Sequence, residues 1–157
     1  MPKDHNISKA KIIYDIEKDV FSTNQTKQIK ETQLSDCHKP YCLNDIYYAL
    51  QDKNKLFYLL EDKQLNVAVG YAALIITPDY NDIFSLAIKR NFQKLGYGKK
   101  LLQWIAEKSN GKKVFLEVYT ENIPAVNLYK SGGYKIIDKR KNYFGQDKDA
   151  FIMMKKF

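Results

Sequence analysis

The sequence predicts an α+β domain, a mixed and mostly antiparallel sheet flanked by helices. Six short segments carry apolar residues in continuous or alternating runs, and the stretches between them show helical spacing instead. The first two strand-like runs are joined by a short polar turn, which favours antiparallel pairing. In the middle, a strand, a glycine-containing turn, a helix and another strand follow in order. Such a β-α-β crossover joins parallel strands.

The elements follow from local pattern. Over residues 11–21, Ile12, Ile13, Ile16 and Val20 recur at helical spacing, with Glu17, Lys18 and Asp19 available for the wet side. Residues 22–40 are polar and without a strong period, a loop or weak helix. A second helix is expected from around Asn44, carrying Ile46, Tyr47, Ala49 and Leu50 inward. The runs 56–60 and 67–76 read as a hairpin across the polar turn 61–66, and Thr77-Pro78-Asp79-Tyr80-Asn81-Asp82 reads as a second turn before a strand over 83–88. A helix with Leu101, Leu102, Ile105 and Ala106 stops at Asn110-Gly111, and 114–119 is a strand. Pro124 suits a helix start, Gly132-Gly133 its end, and 134–137 and 150–154 are the last two strands. No repeat or linker interrupts the order, so residues 1–157 are expected to form a single domain.

Composition narrows the class. A chain of 157 residues, 45% hydrophobic and 28% charged, can bury a proper core without disulfides or metals. Nothing in it is apolar for long enough to span a bilayer, and Met1-Pro2-Lys3-Asp4-His5 lacks the apolar core of a signal peptide. A cytoplasmic protein with no membrane partner is expected. Cys37 and Cys42 flank His38, but His5 is the only other histidine, so no tetrahedral metal site is expected and the cysteines read as free thiols in a loop. The net charge of +8 comes from lysines spread along the chain rather than massed in a stripe. No aromatic and basic recognition module accompanies them, so nucleic acid is not expected as a direct partner.

Gln93-Lys94-Leu95-Gly96-Tyr97-Gly98 stands between the strand-like Ile83-Phe84-Ser85-Leu86-Ala87-Ile88 and the next helix. A helix start carries unpaired N–H groups and the positive end of a dipole, so a glycine-containing turn there can bring several donors onto an anion such as a phosphate. The dinucleotide fingerprint needs three glycines in another register. The P-loop needs a Ser or Thr after its lysine, and here Lys99-Lys100 follow instead.

The Q-x-x-G-x-G segment resembles the acetyl-CoA pyrophosphate loop of the GCN5-related N-acetyltransferase (GNAT) superfamily. Phe115-Leu116-Glu117-Val118, Asn122 and Ala125-Val126-Asn127-Leu128-Tyr129-Lys130-Ser131-Gly132-Gly133-Tyr134 resemble that family's L-E-V, N and L-Y-x-x-x-G-F/Y signature, closest to its RimI-like branch, which acetylates the N-terminal amine of a ribosomal protein. Lys139-Arg140-Lys141-Asn142-Tyr143-Phe144 and Asp149-Ala150-Phe151-Ile152-Met153-Met154 resemble the ending of that branch. The likeness runs from about Ile83 to Met154, with a fainter echo in Ile16-Glu17 and Phe21.

The resemblance implies a sheet splayed around one parallel strand pair, acetyl-CoA as co-substrate, and direct transfer to an amine, most naturally the N-terminal α-amine of a protein such as a ribosomal protein. A small amine, a lysine side chain, or a non-catalytic acetyl-CoA-binding module is the alternative. Carried over residue by residue, Leu86, Ala87 and Ile88 would hold the pantetheine arm through backbone groups. Gln93, Lys94, Leu95, Gly96, Tyr97, Gly98 and Lys99 would hold the pyrophosphate. Ser85 departs from the Asn often found there in RimI-like chains. Glu117 matches the general base, its alternative being a strand-edge carboxylate in solvent. Tyr129 matches the acid that protonates the leaving thiolate, against a plain core tyrosine in a chain with 12 of them. Asn122 would contact the cofactor, cap a helix, or both. Tyr143 and Phe144 would cover a peptide substrate, or be an ordinary aromatic pair in a hairpin. Acetyl transfer needs a neutral amine, and an α-amine with a pKa near ~8 loses its proton more easily than a lysine at about 10.4. A monomer is compatible with all of this.

Overall fold

The computed structural model describes residues 2–21 and 41–157; the Ser22 to Pro40 segment, with Cys37 and His38, lies outside the described residues. The elements run α1 (Pro2–Phe21), α2 (Leu43–Ala49), β1 (Lys55–Asp62), β2 (Val67–Ile76), β3 (Tyr80–Ile88), a 3-10 turn (Arg90–Phe92), α3 (Tyr97–Lys108), β4 (Lys113–Tyr119), α4 (Ile123–Ser131), β5 (Lys135–Arg140) and β6 (Ala150–Lys156). The six strands make one sheet in the order β1-β2-β3-β4-β6-β5, antiparallel everywhere except between β3 and β4.

Each face of the sheet has its own core. On one, Leu101, Leu102 and Ile105 of α3 and Val126 and Tyr129 of α4 pack on Val114, Leu116 and Val118 of β4. On the other, Ala10, Ile13 and Ile16 of α1 and Ile46 of α2 pack on Tyr71, Ala73 and Ala87. Alternation along each strand sends successive side chains to opposite faces, so the inward set of β4 fixes Phe115, Glu117 and Tyr119 on the face away from α3 and α4.

Four expectations change. The first helix begins at Pro2 rather than Lys11, because Ala10 is also part of the core. Glu17, expected on the wet side, is fully buried. The second helix starts at Leu43, and Cys42 caps it: Asp45 N–H donates to its Sγ at 3.4 Å while Asp45 Oδ2 accepts the Cys42 N–H. The turn expected over Thr77 to Asp82 ends early, since Tyr80 pairs with β4 and Asn81 and Asp82 pair on both sides within β3. Turn-forming residue types there were overridden by strand neighbours, and Asn81 reaches the Ser109 carbonyl at 3.3 Å.

Candidate active site

The parallel pair is bonded for only three positions: Tyr80 opposite Lys113, Asn81 opposite Val114 and Asp82 opposite Phe115. Beyond them β3 and β4 diverge, each held on its far side by an antiparallel partner. The edge of β3 from Ile83 to Ile88 therefore offers backbone groups to a gap rather than to β4. A bulge at Phe84, where Ala73 faces Ser85 and Leu74 faces Ile83, bends the strand at the mouth of that gap. Leu86, Ala87 and Ile88 line its deeper part, and only their backbone is free to meet a ligand from the β4 side.

The glycine turn lies at the end of the same strand. Gln93 ties it down, its Nε2 donating to the Ile88 carbonyl at 3.0 Å. Lys94 (φ +62°) and Gly96 (φ +88°) take left-handed backbone, which turns the chain sharply into α3. A side chain at Gly96 would meet nothing within 4 Å, so this glycine is required by its backbone conformation. Gly98 differs: an added Cβ would lie 2.9 Å and 3.0 Å from the two methyl carbons of Leu128, so its smallness lets α3 pack against α4. Tyr97 donates its hydroxyl to Asp62 at the end of β1, which holds that carboxyl below the usual range, and Lys100 Nζ sits 4.9 Å from the Tyr97 ring centroid. Leu95 and Lys99 are exposed. Among the described residues, the N–H groups of Lys94 to Gly98 donate to no backbone carbonyl. These donors, the dipole of a twelve-residue helix and the nearby lysines fit a pyrophosphate, and the unpaired β3 edge fits an extended amide-bearing arm.

Glu117 lies on the face of β4 away from α3 and α4, and Tyr129 packs on the opposite face. Glu117 is half-buried, and Arg140 on β5 lies 3.5 Å from its Oε1. Arg140 in turn stacks over Tyr143, whose ring meets Phe144 edge-on, and Phe144 meets Tyr119. The β5–β6 connection that carries these rings is braced by side chains: Asn142 N–H donates to Asp149 Oδ1 at 3.0 Å, Asp147 N–H to Asn142 Oδ1 at 2.7 Å, and Lys139 pairs with Asp149 at 2.9 Å. Glu117, Tyr143 and Phe144 thus share one neighbourhood. Tyr129 is packed in the α3/α4 core edge-on to Tyr134. Burial raises its pKa far above the ordinary phenol range. Asn122 caps α4, its Oδ1 accepting the Ala125 N–H at 3.3 Å with Pro124 in the first turn.

Three residues the sequence did not single out join this site. Asp82 stands on β3 at the last bonded position, and Glu117 lies two residues beyond its partner Phe115 on the same face. Its carboxyl is pushed up by burial and then by the Glu117 charge. Reading Asp82 as a turn residue concealed this; its place in alternation with buried Asn81 and Ile83 was the available signal. Tyr41 packs on Phe84 with ring centroids 5.2 Å apart, and Glu17 anchors its backbone. No local sequence pattern links those three residues.

A gap lined by free strand backbone, with an anion cradle at one end and a carboxylate on its open face, fits an enzyme that moves an acyl group from a long phosphorylated carrier to a nucleophile. The chain belongs to the acetyltransferase (GNAT) family, whose sequence model matches residues 13–134; it is an acetyltransferase, of a family that uses acetyl-CoA. It is 32% identical over 123 residues to an N-alpha-acetyltransferase of Caenorhabditis elegans, daf-31, covering 72% of this chain and 67% of that one. A [ribosomal protein bS18]-alanine N-acetyltransferase of Haemophilus ducreyi is 37% identical over 92 residues, 54% of this chain and 63% of that one. Among solved structures, the ribosomal-protein-S18-alanine N-acetyltransferase of Escherichia coli has the same fold, with a TM-score of 0.76 at 21% identity over 95% of this chain and 88% of that one. Arabidopsis thaliana NAA60 in complex with acetyl-CoA superposes with a TM-score of 0.63 at 17% identity, covering 74% and 84% of the two chains. Among the described residues, no helix is long and apolar enough to cross a membrane.

Proposed function

We propose that residues 1–157 act as one cytoplasmic acetyltransferase domain whose acceptor is the N-terminal α-amine of a protein, a ribosomal protein first among them. The observation that supports this most is the grouping of Glu117 with Tyr143 and Phe144 on the open face of β4, where a peptide end can enter beside a carboxylate. The names of relatives that act on ribosomal protein bS18 point to the same acceptor class. Acetyl-CoA supplies the activated acetyl group as a thioester. Backbone groups of Leu86, Ala87 and Ile88 would hold its arm, and Gln93 to Lys99 its pyrophosphate, with Gln93 and Tyr97 fixing the turn. Asn122 serves chiefly as the α4 cap, and so sets where Tyr129 stands.

Glu117 accepts the proton that the acceptor ammonium must lose, and Arg140 keeps its carboxylate turned to the open face. Asp82 beside it adds negative charge that draws a protonated amine into the groove. From the other face, the neutral Tyr129 hydroxyl donates to the sulfur as negative charge develops there. A neutral donor on a ring held by packing suits that task, because its strength is realised in the transition state. Tyr143 and Phe144 flank the entering peptide.

Release of CoA measured with a panel of N-terminal peptides, a peptide with a blocked N-terminus and an internal lysine, and polyamines tests the assignment. Turnover is expected with free peptide N-termini. Preference for the blocked lysine peptide or a polyamine would overturn the acceptor, and no turnover with any amine would leave an acetyl-CoA-binding module.

A further inference from the structure

Glu17 is fully buried on α1, yet among the described residues no cation pairs with it. Neutral donors take both oxygens: the Tyr71 hydroxyl of β2 donates to Oε1, and the Tyr41 N–H donates to Oε2 at 3.2 Å. The Tyr71 oxygen also lies 2.6 Å from Ser85 Oγ on β3. Burying a carboxylate in this way is costly, and an apolar side chain would fill the space without that cost. Burial pushes the Glu17 carboxyl up while the two hydrogen bonds oppose the shift.

What this carboxylate holds lies at the acceptor side. Tyr41 packs on Phe84, the residue bulged out of β3, and Phe84 packs edge-on against Phe57 at 6.3 Å. Tyr143 stands near enough to Tyr41 to raise the pKa of its hydroxyl, after burial, Glu17 and Asp45. Tyr41 and Phe84 also line a small cavity together with Ile13, Ile46 and Ala49. Glu17 grips the pair at two points, the Tyr41 backbone directly and Ser85, next to Phe84, by way of Tyr71.

We infer that Glu17 is a positioning residue for the acceptor peptide: by fixing Tyr41 and the bulge at Phe84 it holds an aromatic wall that, facing Tyr143, receives the first residues of the peptide beside Glu117. This rests on the reading of the protein as an N-terminal acetyltransferase. The wall sits away from the glycine turn, so loss of Glu17 weakens acceptor binding and leaves cofactor binding alone.

The test is steady-state kinetics on the full chain and its Glu17→Gln variant, varying a peptide acceptor and acetyl-CoA separately, beside thermal shifts with acetyl-CoA. Glu17→Gln is expected to raise KM for the peptide about fivefold or more, with kcat and the acetyl-CoA shift little changed. Tyr71→Phe, which removes one hydroxyl, should move KM the same way by less, and it carries the test if Glu17→Gln does not fold. An unchanged peptide KM with a lowered melting temperature, or equal losses of peptide and acetyl-CoA binding, would overturn the inference. Failure of the unmodified protein to acetylate any peptide would instead reject the underlying reading, and this inference with it.

Discussion

Two buried phenols sit edge-on in the same core, and the difference between them isolates the function of one. Tyr129 and Tyr134 have ring centroids 5.8 Å apart, and among the described residues the Tyr134 hydroxyl is buried without a hydrogen-bond partner. A buried hydroxyl left unpaired costs roughly 1–3 kcal/mol, so Tyr134→Phe removes a liability and keeps the ring. In a domain of this size, about 1 kcal/mol moves the melting temperature by roughly 2–4 °C, and Tyr134→Phe is expected to melt that much higher with an unchanged rate. Tyr129→Phe keeps the ring that packs against Tyr134 and should leave stability little changed. Its catalytic rate should fall about tenfold or more, with acetyl-CoA affinity little changed, since the interaction lost exists only in the transition state. The assay is single-turnover acetyl transfer beside thermal unfolding on both variants. A normal rate in Tyr129→Phe would make that residue a packing tyrosine, and equal rate losses in both would trace the effect to the ring pair.

The remaining expectations concern the base, the cradle and the buried carboxylate. Glu117→Gln should lower turnover about a hundredfold near neutral pH and recover part of it as pH rises and the amine deprotonates unaided, read from a pH–rate profile with saturating peptide. Gly96→Val places a branched side chain at φ +88°, which strains the turn by roughly 1–2 kcal/mol and should abolish the acetyl-CoA thermal shift. In the unmodified protein that shift corresponds to about 2.7 kcal/mol at a hundredfold excess over Kd. Gly96 is the cleaner site for this test, because a side chain at Gly98 strikes Leu128 before it reaches any ligand. The raised pKa of Glu17 means that the folded state takes up this proton first as pH falls. Its desolvation cost is therefore full above the folded-state pKa and relieved as pH drops through it towards the unfolded value near ~4.3. The stability gap between the unmodified protein and Glu17→Gln should change in favour of the unmodified protein on acidification, as denaturant titrations at pH 7 and 5 would record.

The sequence by itself determined the order of elements, the mixed sheet and the family. Each of these rests on short-range information: period, turn chemistry, and motifs such as Gln93 to Gly98 or Leu128-Tyr129 whose parts are neighbours in the chain. It also carried Asn122 as a helix cap, since capping acts across three residues. What it could not carry was anything that depends on which segments meet. Asp82 lies among turn-forming residues and becomes strand only because β2 and β4 pair with it from both sides. Glu17 has the helical spacing of a surface charge and is buried because Tyr71, 54 positions away, and Tyr41 supply its hydrogen bonds. Gly98 stands in a phosphate-loop motif, yet Leu128 of another helix decides its size. Splaying of β3 from β4 after three bonded positions, which opens the site, is likewise a property of the assembled sheet, where strand twist and the partners on either side set how far two neighbours run together.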